Sequence, residues 1–153
     1  MSYVALYPQH ERPLLQRLVA PAKNMQASND ILIVDDEAPI AELLADVLQD
    51  EGYSIRVARD GASALLEIIK RRPGLVLLDV AMPVMLGSDL LVYLRRHGFA
   101  DLPIIIMTAG LSPLVYLTQG ATEVLPKPFD VNVVVEKVAH YLPRGPGRAV
   151  GAE

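Results

Sequence analysis

Acidic side chains come directly after two short apolar runs of the chain. Asp35 and Asp36 follow the run ILIV at residues 31–34, and Asp79 follows LVLL at residues 75–78. Runs of four aliphatic residues are typical of strands buried on both faces, as in a parallel sheet. An acid after one such strand is often only a turn former or a helix cap. Three acids after two such strands instead indicate a functional site.

Three carboxylates in one crevice repel each other. Two unit charges about 4 Å apart cost roughly 4 kcal/mol at an effective dielectric near 20. A divalent cation relieves that repulsion, and in a chain without cysteine its ligands must be oxygen or histidine. Oxygen ligands favour Mg²⁺ or Mn²⁺. We therefore expect Asp35, Asp36 and Asp79 to hold Mg²⁺, with Mn²⁺ as the alternative.

A hydroxyl and an amino group follow two later apolar runs. Thr108 ends the run IIIM at residues 104–107, and Lys127 comes soon after EVL at residues 123–125. Acids, a metal, a hydroxyl and a lysine at one rim describe a pocket for a phosphoryl group. The metal and Lys127 would neutralise its oxygens, and Thr108 would donate a hydrogen bond to one of them.

Five strand-like runs alternate with amphipathic stretches, which predicts an α/β domain with right-handed crossovers. Two layouts are permissible, and one is the flavodoxin-like, doubly wound order 2-1-3-4-5 of a five-stranded parallel sheet with five helices. In that order strands one and three are neighbours, so their terminal acids would share one crevice. The predicted strands lie near residues 31–34, 53–58, 75–78, 103–107 and 123–125.

Local signals predict how the helices begin and end. Ser88 is a plausible cap of the third helix, and Asp130 of the fifth. Pro113 and Gly120 confine the fourth helix to roughly two turns of 3.6 residues. The fifth helix is expected to turn four residues inward: Val133, Val134, Val138 and Tyr141.

Composition limits the class of protein. The chain has 153 residues, 52% of them hydrophobic, and a net charge of −4. That charge argues against non-specific nucleic-acid binding, and the pairs Arg71-Arg72 and Arg95-Arg96 end helices, where cations suit the helix dipole. No apolar run approaches the length of a membrane span and no signal peptide is visible, so the cytoplasm is expected.

The ends of the chain differ from its middle. Residues 1–28 are expected to be an N-terminal extension, flexible or forming a short helix, and residues 29–142 the folded domain. Residues 143–153 are rich in Pro, Gly, Arg and Ala, and are expected to be a disordered tail. No output domain is expected after residue 142.

Taken together, the motifs resemble the receiver domain of two-component response regulators, in its single-domain type. They are Asp35-Asp36, the stretch LLDVAMP at residues 77–83 with Gly87, Thr108-Ala109 and Lys127-Pro128-Phe129, in family order over residues 30–142. The resemblance implies a phosphorylation-driven signalling switch rather than an enzyme, although such a domain assists its own phosphotransfer and dephosphorylation.

The resemblance also implies a role for each residue. Asp79 is similar to the phosphoacceptor, which takes its phosphoryl group from a sensor histidine kinase or a phosphotransfer protein. Asp35 and Asp36 resemble the acidic pair that, with Asp79 and the backbone carbonyl of Ala81, positions Mg²⁺. Thr108 resembles the switch hydroxyl and Lys127 the lysine that pairs with the phosphoryl group.

The implied output is protein contact through the fourth helix, fifth strand and fifth helix, with a homodimer as another form of partner and no direct contact with nucleic acid or membrane. The chain departs from the family at Val124, where receivers usually carry an aromatic residue that reports phosphorylation. Tyr116 is a candidate replacement. Ala81 and Gly110 offer no side chain to hold or block water beside the pocket.

Two other functions remain as alternatives. A phosphohydrolase of the haloacid-dehalogenase type also uses an aspartate nucleophile and Mg²⁺, but it needs a second acid two residues later, where this chain has Ala81. An interaction domain that works without phosphorylation is the third hypothesis. The full set of site residues argues against it.

Overall fold

Strands and helices alternate along the part of the chain described by the computed structural model, residues 29–82, 85–110 and 112–143. The strands are β1 (Asp30–Val34), β2 (Ser54–Ala58), β3 (Leu75–Asp79), β4 (Ile104–Thr108) and β5 (Glu123–Pro126). The helices are α1 (Ala38–Asp50), α2 (Gly61–Lys70), α3 (Gly87–Arg96), α4 (Pro113–Thr118) and α5 (Val131–Tyr141).

The strands form one parallel sheet in the order β2-β1-β3-β4-β5. The predicted flavodoxin-like order is therefore confirmed, and β1 and β3 are direct neighbours. The predictions for residues 1–28 and for the tail from residue 144 concern parts of the chain outside the described residues. No helix in the described ranges has the length and apolar character needed to cross a membrane.

Each face of the sheet has its own hydrophobic core, because successive side chains of a strand point to opposite faces. Leu32 and Val34 of β1 pack with residues of α2 and α3, whereas Ile31 and Ile33 pack with residues of α1 and α5. The central strands β1, β3 and β4 are buried along their whole length, and the edge strand β2 is partly exposed. This burial explains the continuous apolar runs.

Gly87, not Ser88, decides where α3 begins, so the predicted Ser88 cap is wrong. The helix begins at Gly87, and no side chain caps it. The Gly87 N–H donates to the carbonyl of Val80 at 3.2 Å. A Cβ at position 87 would lie 2.2 Å from the carbonyl oxygen of Asp79. Only glycine lets the first turn of the helix lie this close to the end of β3.

The last helix follows its prediction in part. The carboxylate of Asp130 accepts a hydrogen bond from the N–H of Asn132, as expected for a helix cap. Val134 and Val138 are buried four residues apart on the inner face. Val133 is 38% exposed, against the prediction, because a one-residue step turns a side chain by about 100° away from that face.

The fourth helix is short, as predicted, with six residues and none of them buried. Tyr116 is the α4 side chain that packs against the core, where Val124 of β5 also packs. Leu114, Val115 and Leu117 are exposed. The helix ends before Gly120, whose positive φ of 106° favours glycine.

Arg95 joins α3 to the segment after α4. Its guanidinium donates to the carbonyls of Gly120 at 2.7 Å, Phe99 at 2.6 Å and Leu102 at 2.7 Å. The interpretation of Arg95 as a cation serving the dipole of its own helix is therefore incomplete. Its side chain holds three carbonyls from two other loops, and so fixes the connection between α4 and β5.

Candidate functional site

The pairing of β1 with β3 brings the three predicted acids together. Val34 lies opposite Leu78 in this pairing, so the residues that follow them, Asp35 and Asp79, leave the sheet side by side. Carboxylate oxygens of Asp35, Asp36 and Asp79 lie within 4.8 Å of one another. Asp35 and Asp79 are buried and Asp36 is exposed.

Backbone hydrogen bonds hold the β1 end of this cluster in place. The Asp35 N–H donates to the carbonyl of Ala58 at 3.1 Å. Its carboxylate then accepts a hydrogen bond from the N–H of Glu37 at 2.9 Å. The helix α1 begins directly afterwards, with Pro39 in its first turn, where the fixed φ of proline suits a helix. The orientation of Asp35 is therefore set before any ligand binds.

Lys127 places its ammonium among the acids from the end of β5. Its Nζ donates to Asp35 Oδ2 at 3.2 Å and lies 3.4 Å from Asp79 Oδ1. A third acid, Glu37, approaches the same nitrogen with Oε1 at 3.6 Å. The lysine side chain is 13% exposed. The ammonium therefore shields the carboxylates from each other where solvent screens them poorly.

The electrostatics of the site follow from burial and crowding. Burial raises the pKa of the Asp79 carboxyl, the charge of Asp35 raises it further, and Lys127 acts in the opposite direction. Burial alone would lower the pKa of Lys127, but the hydrogen bond and charge of Asp35, with Asp79 and Glu37, outweigh it and raise this pKa. Lys127 therefore stays protonated, and the acids still carry excess negative charge.

Thr108 reaches the same rim from β4. Its carbonyl accepts a hydrogen bond from the N–H of Lys127 at 2.7 Å, which links the ends of β4 and β5. Its hydroxyl oxygen accepts one from the N–H of Gly110 at 2.9 Å. The hydroxyl proton is thus free to point elsewhere, because the Gly110 contact uses only a lone pair of the oxygen.

The loop after β3 is held tightly beside Asp79. The N–H of Ala81 approaches Asp79 Oδ1 at 3.5 Å, at the limit of a hydrogen bond. Farther along, the side chain of Met85 packs onto Gly61 of α2, where a Cβ would lie 2.8 Å from it. Pro83, which belongs to the family-like motif, lies outside the described residues.

The acidic cluster fits a hard divalent cation. It offers carboxylate oxygens and no sulfur, and its excess negative charge is reduced only in part by Lys127. Mg²⁺ is typically held in this way, by one or two carboxylates with other oxygen donors. Asp35, Asp36 and Asp79 would supply these oxygens, and the backbone carbonyl of Ala81 is the fourth predicted donor.

The contact between Glu37 and Lys127 was not predicted from the sequence. The available signal was the third acid in the run Asp35-Asp36-Glu37. That signal is weak, because Glu37 stands where α1 begins and acids are common at helix starts. Only the position of Lys127, which comes from the far end of the chain, shows what Glu37 contacts.

Comparisons with a family model, with curated proteins and with solved structures all find the same family. The family model of the response regulator receiver domain matches residues 31–139. The probable transcriptional regulatory protein TcrX of Mycobacterium tuberculosis is 37% identical over 74% of this chain and 50% of its own length. The chain thus spans about half the length of this curated relative.

Solved structures of shorter chains match over their whole length. The chemotaxis protein CheY4 of Vibrio cholerae has a TM-score of 0.69 and 32% identity, covering 76% of this chain and all of that one (100%). The receiver domain of NtrX from Brucella abortus has a TM-score of 0.69 and 31% identity, with the same coverage of 76% and 100%. The likeness therefore extends over the whole of both matched chains.

Proposed function

The chain belongs to the response regulator receiver domain family, and from this premise we propose that it is a phosphorylation-activated signalling switch with Asp79 as its phosphoacceptor. The observation that carries the proposal is the position of Lys127, whose Nζ lies 3.4 Å from Asp79 Oδ1. A buried aspartate beside a protonated lysine and two further acids has the charges that phosphoryl transfer requires.

The reaction is an in-line displacement. A carboxylate oxygen of Asp79 bonds to phosphorus as the bond between phosphorus and the histidine nitrogen of the donor breaks. The electron pair of that bond stays on the nitrogen, which takes up a proton. Lys127 pairs with the phosphoryl oxygens, and Thr108 turns its hydroxyl proton toward one of them.

Asp35, Asp36, Asp79 and the carbonyl of Ala81 are proposed to hold Mg²⁺, or Mn²⁺ in its place. When bound, the cation neutralises negative charge on the phosphoryl oxygens. The chain's own residues then do two things. Asp35 and its backbone hydrogen bonds keep the acids in place, and Lys127 supplies a positive charge next to Asp79.

A direct test is incubation with acetyl phosphate and Mg²⁺, followed by intact-mass spectrometry and peptide mapping. We expect one labile phosphoryl group, located on Asp79 and absent from Asp79→Asn. Asp46→Asn is the matched control, because Asp46 is an exposed aspartate of α1. Labelling of Asp79→Asn, or no labelling of the unchanged protein, would contradict the proposal.

The same preparation tests the alternatives. Turnover of p-nitrophenyl phosphate would support a phosphohydrolase, and a complete lack of labelling would support an interaction domain independent of phosphorylation. The comparisons favour neither, since the matches are response regulators. Ala81, where the hydrolase needs an acid, also disfavours that alternative.

The proposed donor is a sensor histidine kinase or a phosphotransfer protein, and the proposed compartment is the cytoplasm, where ATP supports such kinases. We propose that residues 29–142 act as the receiver unit and signal through the surface of α4, β5 and α5. Three exposed apolar residues of α4 support this choice: Leu114, Val115 and Leu117. Sedimentation of the phosphorylated and unphosphorylated chain would test whether a homodimer forms through this surface.

A further inference from the structure

Glu37 contacts the lysine of the site from its solvent side. Its Oε1 lies 3.6 Å from Lys127 Nζ, and the Glu37 side chain is 59% exposed whereas that of Lys127 is 13% exposed. It is the third carboxylate around this ammonium, after Asp35 and Asp79. Unlike them, it lies outside the cluster of oxygens that fits a metal.

The backbone of Glu37 is fixed while its side chain has no role in α1. Its N–H donates to Asp35 Oδ1, and its carbonyl accepts from the N–H groups of Ile40 and Ala41. Glu37 is the N-cap residue of α1, yet its side chain makes no capping hydrogen bond. The backbone of Glu37 is therefore fixed at the rim of the site, and the side chain extends from it toward Lys127.

We propose that Glu37 is a positioning residue that competes with the phosphoryl group on Asp79 for Lys127, and so weakens the phosphorylated state. This inference rests on the proposed function of Asp79 and Lys127. A phosphoryl group adds negative charge beside the same ammonium, whose nitrogen already has oxygens of three carboxylates at 3.2, 3.4 and 3.6 Å. Glu37 then both shares the lysine and repels the new charge.

The size of the effect follows from the exposure of Glu37. Ion pairs in contact with solvent contribute modestly, so removing the Glu37 charge is expected to strengthen phosphoryl binding by about threefold. A neutral amide at this position keeps the shape of the side chain and removes the competition. The expected direction is a gain, which general damage to the site would not produce.

The probe is beryllium trifluoride, a mimic of the phosphoryl group, titrated in the presence of Mg²⁺ and followed by the amide NMR signals of the site. We expect Glu37→Gln to bind it about threefold more tightly than the unchanged protein. Glu42→Gln, which removes the same charge from an exposed position of α1, should leave the affinity unchanged. Glu37→Asp, which retains the charge, should restore the affinity toward that of the unchanged protein.

A second measurement needs neither metal nor probe. The ¹⁵N signal of the Lys127 ammonium should shift in Glu37→Gln and stay in place in Glu42→Gln. If Glu37→Gln and Glu42→Gln bind beryllium trifluoride equally and give equal ammonium signals, the proposed role of Glu37 is overturned, whereas the proposed function of Asp79 is not affected. Failure of beryllium trifluoride to bind the unchanged protein would instead overturn the proposed function of Asp79, and this inference with it.

Discussion

Lys127 Nζ lies 3.4 Å from Asp79 Oδ1 and thereby joins the ends of β5 and β3, two strands that β4 separates in the sheet. The lysine reaches across the end of β4, where its own N–H is bonded to the carbonyl of Thr108. One side chain thus meets the acids at the end of β1 and the acid at the end of β3. We therefore expect this bridge to stabilise the metal-free protein.

Replacing Lys127 by Met should destabilise the protein in the absence of divalent cations. Three carboxylates then lose the ammonium that they share, and we expect the free energy of unfolding to fall by about 2 kcal/mol. Mg²⁺ should restore much of the loss, because it compensates the same charges. Urea denaturation with and without Mg²⁺ measures both effects. Lys70→Met, at an exposed lysine of α2, is the control, and equal stabilities of the two variants would contradict the prediction.

Replacing Asp79 by Asn should have the opposite effect on the metal-free protein. Burial and the charge of Asp35 raise the pKa of Asp79, which means that the ionised carboxylate is disfavoured in the folded state. Removing this charge should increase the free energy of unfolding by about 1 kcal/mol, since Lys127 offsets part of the repulsion. Thermal unfolding in EDTA tests this, beside Asp46→Asn. The stabilising effect of Mg²⁺ should become smaller in Asp79→Asn.

Gly87→Ala should damage both the fold and the site. The new Cβ would lie 2.2 Å from the carbonyl oxygen of Asp79 and 2.8 Å from Cα of Val80. Both atoms belong to the backbone, so α3 or the end of β3 must move, at a cost of about 2 kcal/mol or more. Gly110→Ala is the comparison, because its Cβ would approach only the Thr108 hydroxyl, at 3.2 Å. A Gly87→Ala protein as stable as Gly110→Ala would disprove this account.

Arg95→Met should loosen the segment between α4 and β5. The guanidinium donates hydrogen bonds to three carbonyls. The substitution leaves these carbonyls without that donor, which should lower the free energy of unfolding by about 3 kcal/mol. Arg59→Met, at an exposed arginine before α2, should cost far less. Amide hydrogen exchange gives the location: protection should fall around Gly120 and Thr122 in the Arg95 variant. Unchanged exchange there would show that the arginine is dispensable.

Asp60 gives a prediction for pH that is independent of the site. Its carboxylate accepts hydrogen bonds from the backbone N–H and the hydroxyl of Ser63 at the start of α2, and these bonds lower its pKa below the ordinary value of 3.8. A lowered folded-state pKa means that the ionised group stabilises the fold above pH 3.8, and that this contribution is lost as the pH falls through the lowered value. Asp60→Asn should therefore lose less stability than the unchanged protein on acidification below that point. Denaturation curves at a series of pH values, with Asp46→Asn alongside, provide the measurement.

Much of the fold could be predicted because its signals are local. The runs at residues 31–34, 75–78 and 104–107 are apolar since these strands are covered on both faces. Alternation and the general rules of parallel sheets left two layouts for the strands, and the observed order is one of them. Once β1 and β3 were neighbours, the meeting of Asp35 and Asp79 was a consequence of chain direction.

Contacts between distant side chains could not be predicted in the same way. The sequence by itself determined the element types and the acids at the strand ends, because hydrophobic periodicity and residue type are written into each segment, and it narrowed the strand order to two layouts. Tertiary structure alone decided that α3 begins at Gly87, that Arg95 holds the carbonyl of Gly120, and that Glu37 shares Lys127. These contacts depend on distances of a few ångströms between elements that pack together only in the folded state, and no local pattern encodes such distances.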